Sequence, residues 1–135
     1  MPRPGNDRLL LDTNVVLWLL LGDRDKIPAS VQSILEDEGN DLFLSAVVVW
    51  EIAIKRSLGK LEISDNWSVA IRQLDFTPLP ITADHATRVE HLPWHHRDPF
   101  DRLLIAQARA ENYALVSSDP RLSDYDVPVR WDRAG

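Results

Sequence analysis

Cysteine is absent from the 135 residues, which removes disulfides, thiolate nucleophiles, iron–sulfur clusters and cysteine-bound zinc together. Glycine is scarce, at five residues, and no internal repeat or linker breaks the chain, so collagen-like and low-complexity readings fail. No apolar run is long enough for a bilayer, because the best candidate, Leu9 to Leu21, is interrupted by Asp12-Thr13-Asn14. Arg3 and Arg8 lie upstream of that run, but an acid within it and the lack of a small-x-small cleavage site argue against a signal peptide. Basic residues are in deficit, 15 against 21 acidic, leaving a net charge of −6. That sign opposes bulk attraction to nucleic acid, so a polyanionic substrate needs local help. The expectation is a cytoplasmic protein with no membrane partner.

Apolar residues make up 44% of the chain and there are five Trp, enough for one core in one domain. Arg8 to Leu11 reads as a strand, followed by a helix over Val15 to Leu21 with Thr13 or Asn14 as its cap. A helix from Pro28 to Gly39 and a strand from Asp41 to Leu44 follow. Glu36-Asp37-Glu38 would oppose the dipole at the end of that helix. Ala46 to Ser57 is apolar on almost every side and reads as a largely buried helix, with Trp50 in the core. Further helices are expected over Asn66 to Leu74, Ala83 to His91 and Asp98-Pro99 to about Asn112. Strands are expected over Thr77 to Ile81, Tyr113 to Ser117 and Val127 to Trp131. This alternation predicts a three-layer α/β/α fold, Rossmann-like, with a central parallel sheet of four to five strands. Residues 1–7 read as a flexible extension, 8–131 as the single domain and 132–135 as a tail.

In an open parallel sheet, ligands collect beyond the carboxyl ends of the strands, and the acids fall at that edge. Asp12 ends the first strand, Glu51 lies in the helix after the second, Asp98 and Asp101 open the long helix, and Asp119 follows the fourth strand. Each also has a structural use: Asp98 ahead of Pro99 suits a helix cap, Asp119-Pro120 suits a turn, and Lys55 offers Glu51 an i, i+4 salt bridge. Carboxylates packed together repel and hold protons unless a cation sits among them. An oxygen donor set without cysteine favours a hard ion, Mg²⁺ or Mn²⁺. His95 and His96 are adjacent, a spacing unsuited to sharing one ion, and His96 is expected to orient the 97–102 turn.

Leu9-Leu10-Leu11-Asp12-Thr13-Asn14, Trp50-Glu51-Ile52-Ala53, Asp98-Pro99-Phe100-Asp101-Arg102 and Val116-Ser117-Ser118-Asp119 occur in this order, with Lys55-Arg56-Ser57-Leu58-Gly59-Lys60-Leu61 after the second. In these motifs the chain resembles PIN-domain ribonucleases, and more closely the VapC toxins of bacterial and archaeal toxin–antitoxin pairs, over roughly Arg8 to Trp131. By position, the resemblance makes Asp12, Glu51 and Asp101 the principal metal-binding and catalytic acids. Asp119 becomes the fourth and Asp98 an additional acid found in a subset. Thr13, Asn14 and Ser118 would be supporting groups; many relatives carry Ser or His where Asn14 stands.

The resemblance implies cleavage of single-stranded or looped RNA with one or two Mg²⁺ or Mn²⁺ ions per site, leaving a 5′-phosphate and a 3′-hydroxyl. It also implies a cognate antitoxin and a homodimer. Arg97, Arg102 and Lys55 are candidate phosphate contacts, though Arg102 beside Asp101 equally suits a structural salt bridge. Trp94 is a candidate for stacking on bases. Two competitors remain at this point: another Mg²⁺-dependent phosphohydrolase on a Rossmann-like sheet, and a non-catalytic RNA- or partner-binding module.

Overall fold

The computed structural model describes residues 6–131. Successive strand residues point to opposite faces, yet Leu9, Leu10 and Leu11 are all 0% exposed, so strand β1 (Arg8–Leu11) is covered on both sides. It is the middle of a five-stranded, all-parallel sheet with β2 (Asp41–Ser45), β3 (Thr77–Leu79), β4 (Ala114–Val116) and β5 (Val129–Arg130), in the order β3-β2-β1-β4-β5. Six α-helices join them: α1 (Thr13–Leu21), α2 (Ala29–Glu36), α3 (Ala46–Ser57), α4 (Trp67–Arg72), α5 (Ala83–Arg88) and α6 (Pro99–Glu111). Strand order reverses at β1, whose neighbours are β2 and β4. The crevice for a ligand therefore lies where β1 and β4 end, and the register Leu11↔Val116 sets Asp12 beside Ser117 there.

A polar knot braces this edge from beneath. Gln107 of α6 is fully buried; its amide accepts from Ser45 Oγ at 2.5 Å and donates to Pro80 O at 3.2 Å. His85 Nδ1 accepts the Thr82 N–H at 3.1 Å and lies 3.3 Å from Gln107 Nε2, which assigns the ring proton to Nε2, 2.8 Å from Glu111 Oε2. Three chain segments thus converge on one glutamine.

Several local expectations are corrected. Asp12, rather than Thr13 or Asn14, caps α1, because its carboxylate accepts the Thr13 N–H. Pro28 is the residue before α2, not its first turn, and the helix stops at Glu36. Glu36 and Asp37 do stand at the C-terminal end of α2, where Arg24 pairs with Glu36, and the run then turns, with Asp37 accepting the Gly39 N–H at 2.8 Å and Asn40 Nδ2 donating to Ile34 O at 2.9 Å. The last turn of the expected Ala83 to His91 helix tightens to a 3-10 turn over Val89–His91. Helix α3 buries one face only: Val47, Val48, Glu51 and Ile52 face inward, while Trp50 is 48% exposed and stacks edge-on against Phe100.

The expected frayed ends at residues 1–5 and 132–135 lie outside the described residues. Asp7 is not frayed. Its N–H donates to Asn40 Oδ1 at 2.9 Å, its carbonyl accepts from Asp41 N at 2.8 Å, and its carboxylate pairs with Arg130 on β5.

Candidate active site

Asp12 leaves β1 as the cap of α1, with Oδ1 accepting the Thr13 N–H at 2.8 Å and Oδ2 accepting the Ser117 hydroxyl at 2.7 Å. Ser117 Oγ in turn accepts the Asp119 N–H at 3.1 Å. Thr13 Oγ1 donates to Glu51 Oε1 at 2.5 Å, and Lys55 Nζ lies 2.6 Å from Glu51 Oε2. Asp98 caps α6, its Oδ1 accepting from Phe100 N and Asp101 N at 2.8 and 3.1 Å. Asp119 closes the ring on the far side, holding Arg121 at 3.0 Å.

The acids feel one another. Burial, then the charges of Asp12, Asp98, Glu51 and Asp119, push Asp101 up to about 8. Burial also raises Asp12, with Glu51 and Asp119 adding to it, although the Ser117 and Thr13 hydrogen bonds pull the other way. Asp119 goes in the opposite direction: burial alone would raise it, but hydrogen bonds and charge from Arg121, with His96, hold it below the usual carboxylate range. Lys55 is raised by its hydrogen bond to Glu51, partly offset by burial, with the charges of Asp98 and Asp101 adding to the rise. Asp12, Glu51, Asp98, Asp101 and Asp119 therefore share one cluster at the carboxyl ends of β1 and β4.

His96 completes the cluster in a way its sequence position did not reveal. Its Nδ1 accepts the Asp98 N–H at 3.2 Å, so it does orient the turn into α6. The same bond assigns the ring proton to Nε2, which lies 2.7 Å from Asp101 Oδ2 and 3.5 Å from Asp119 Oδ2. Donor atoms of His96, Asp101 and Asp119 all fall within 4.8 Å of one another. The imidazole nevertheless offers the two acids a proton, not a lone pair. Nε2 is buried and neither carboxylate lies along its N–H direction, so it remains a donor without an aligned acceptor.

The basic candidates divide. Arg102 is 3% exposed, and its guanidinium donates to the carbonyls of Val89, Leu92, Pro93 and His96 at 2.8 to 3.4 Å. It ties the loop before α6 to the helix, so the expectation that it holds RNA phosphate is corrected. Lys55 is committed to Glu51 as the alternative salt bridge. Arg97 is exposed, and Asn14 sits exposed on the first turn of α1. The hydroxyl on Asp12 is that of Ser117, where the sequence motif singled out Ser118. Alternation from the Leu11↔Val116 pair reaches Ser117, but only once the register is known.

The PIN domain model matches residues 9–128. The chain belongs to the PIN domain family. This PIN domain is similar in fold to VapBC2 from Rickettsia felis bound to a promoter DNA fragment, at 16% identity and TM-score 0.71, over 93% of this chain and 99% of that one. DNA-bound VapBC from Salmonella typhimurium is similar at 11% identity and TM-score 0.66, over 92% and 97% of the two chains. VapBC-1 from nontypeable Haemophilus influenzae follows at 21% identity and TM-score 0.60, over 91% and 96%. No curated protein matches the sequence. Among the described residues, no helix of this PIN domain is long and apolar enough to cross a membrane.

The donor chemistry of the cluster fits a divalent ion. Its side chains offer carboxylate oxygens and no sulfur, the set that suits Mg²⁺ or Mn²⁺. Five carboxylates face two paired cations, Lys55 and Arg121. Burial raises Asp101 first and the excess negative charge adds to it, and a dication answers that charge without a proton.

Proposed function

We propose that this chain is a metal-dependent endoribonuclease that acts as the toxin of a toxin–antitoxin pair. The observation that carries the reading is the gathering of Asp12, Glu51 and Asp101 at the switch point of the sheet, with Asp101 pushed up to about 8 by burial and then by its acidic neighbours. Asp12, Glu51 and Asp101 would hold one or two Mg²⁺ or Mn²⁺ ions, with Asp119 as a further ligand and Asp98 chiefly a helix cap. A bound divalent ion supplies Lewis acidity toward a phosphate oxygen and lowers the pKa of a coordinated water.

The chain's own residues do the rest. Ser117 and the Thr13 N–H fix the two oxygens of Asp12, and the Thr13 hydroxyl and Lys55 fix those of Glu51. Such hydrogen bonds orient ligand lone pairs and tune their basicity. Carboxylate lone pairs left over orient the attacking water. Attack on phosphorus with departure of O3′ leaves a 5′-phosphate and a 3′-hydroxyl, and needs no 2′-hydroxyl. On a chain of net charge −6, charge neutralisation at this edge serves docking of RNA as well as chemistry.

The antitoxin reading draws on the VapBC complexes among the fold's neighbours and on an apolar groove of about 820 Å³ lined by Leu44, Val49, Trp50, Ile71, Pro78 and Pro80. Such a groove suits an apolar segment of a basic partner. A cytoplasmic homodimer completes the proposal.

Purified protein is expected to cleave single-stranded RNA with Mg²⁺ or Mn²⁺ and to stop in EDTA, and Asp12→Asn is expected to be folded and inactive. Cleavage that persists in excess chelator rejects the reading. Expression of the wild type alone is expected to arrest growth, and equal toxicity of Asp12→Asn would reject metal catalysis.

A further inference from the structure

Trp94 is 73% exposed, the most exposed of the large apolar side chains among the described residues. One face of its indole lies on the buried guanidinium of Arg102, with the carbon of that group 3.7 Å from the ring centroid. Arg102 is satisfied by four loop carbonyls and does not require the ring for hydrogen bonding. The indole is thus held against a fixed support with its other face open. A hollow of about 370 Å³ lined by Trp94 and Arg97 opens there.

Arg97 has no hydrogen bond or ion pair among the described residues, unlike Lys55 and Arg121, which are taken up by Glu51 and Asp119. An open aromatic face beside an unpaired cation is the pairing that receives one base and its phosphate. Trp94 lies two residues before His96, whose Nε2 is 2.7 Å from Asp101, so the Cα atoms of Trp94 and His96 are at most about 7 Å apart and the platform neighbours the acid cluster in the same loop.

We propose that Trp94 and Arg97 form the subsite for an unpaired nucleotide of the RNA beside the cleaved bond, the base stacking on the indole and its phosphate meeting the guanidinium. The proposal rests on the ribonuclease reading and names how that site selects its substrate. A base within a duplex has both faces stacked and cannot reach the indole, so the subsite selects unpaired RNA. Trp94 is a substrate-binding residue; Arg102 acts through it and is a positioning residue.

The test compares wild type with Trp94→Leu, Trp94→Phe and Arg97→Ala on single-stranded RNA with Mn²⁺, alongside melting temperatures. Trp94→Leu keeps an apolar cover over Arg102 but removes the stacking face. It is expected to raise KM about tenfold with kcat changed less than twofold, while Trp94→Phe restores KM to within about threefold. Removing single bases from the oligonucleotide is expected to reveal one position near the cut where the wild type loses about tenfold and Trp94→Leu loses nothing. Arg97→Ala is expected to flatten the slope of log affinity against log salt by about 0.7.

Binding of a labelled single-stranded RNA is measured in parallel on Asp12→Asn, with and without Trp94→Leu. Wild-type cleavage or Asp12→Asn binding that is indifferent to Trp94→Leu and to base removal overturns the subsite alone. Neither cleavage by the wild type nor binding by Asp12→Asn overturns the subsite and the ribonuclease reading together.

Discussion

Asp101→Asn tests the electrostatic argument at its root. Burial and acidic neighbours hold Asp101 at about 8 in the folded protein, against 3.8 for the free side chain. With its proton affinity raised by folding, the native state binds more protons than the unfolded one between those limits. Metal-free protein therefore loses stability as pH climbs from about 4 to 8. Each unit is worth 1.36 kcal/mol, so the ceiling on the penalty above pH 8 is about 6 kcal/mol. The Asp101 side chain is 16% exposed, and solvent reaching it brings the expected effect to about 2 kcal/mol. For a chain of this length that is about 6 to 10 °C in melting temperature.

The assay is thermal unfolding in EDTA at pH 5 and pH 8, for wild type and Asp101→Asn. The wild type is expected to fall relative to the variant by that amount between the two pH values. Other titrating groups contribute to both proteins and cancel in the difference. Millimolar Mn²⁺ is expected to restore the wild type at pH 8 and leave Asp101→Asn nearly unmoved. A difference between the two proteins that stays constant from pH 5 to pH 8, or grows in the wild type's favour, refutes the reasoning.

Ser117→Ala removes the hydroxyl that holds Asp12 down, so Asp12 rises further. Mn²⁺ affinity is expected to fall about tenfold in a calorimetric titration, and the acidic limb of the pH–rate profile is expected to move to higher pH. Asp119→Asn, whose wild-type charge is already answered by Arg121, is expected to keep measurable turnover in a labelled-RNA assay where Asp101→Asn keeps none. Arg102→Met leaves buried carbonyls unpaired and is expected to cost about 3 kcal/mol in urea unfolding, with Arg102→Lys recovering only part of it. Gln107→Ala strips partners from Ser45 and Pro80 and is expected to cost about 2 kcal/mol by the same measurement.

The alternation of helices and apolar strands was legible because it depends on local composition. Leu9-Leu10-Leu11 reads as a strand buried on both faces, and Asp98-Pro99 reads as the start of a helix whether or not the acid does anything else. Helix α3 was not legible in the same way. With Val47 to Ile54 apolar on every side but Glu51, periodicity cannot distinguish the covered face from the open one, and it points Trp50 to the core although the residue stands at a groove. Arg102 was ambiguous because its partners are carbonyls of Val89 to His96, and carbonyls carry no sequence signature. Ser117 cannot be told from Ser118 in the sequence because the choice depends on a strand register spanning 105 residues.

The two acids nearest His96 show why position in the sequence does not rank the members of such a cluster. Asp101 and Asp119 both approach its Nε2, yet one is driven up and the other held down. The difference is burial and a private cation: Asp101 is the more deeply buried and faces four other carboxylates with Lys55 already bonded to Glu51, while Asp119 has Arg121 on both oxygens. Groups whose environments push them apart in this way take different parts in the chemistry. Asp119 is satisfied within the protein and steadies the rim. Asp101, with the charge of Asp12 acting on it, carries the unanswered charge, and on the proposed reading a dication is expected to engage Asp101 ahead of Asp119.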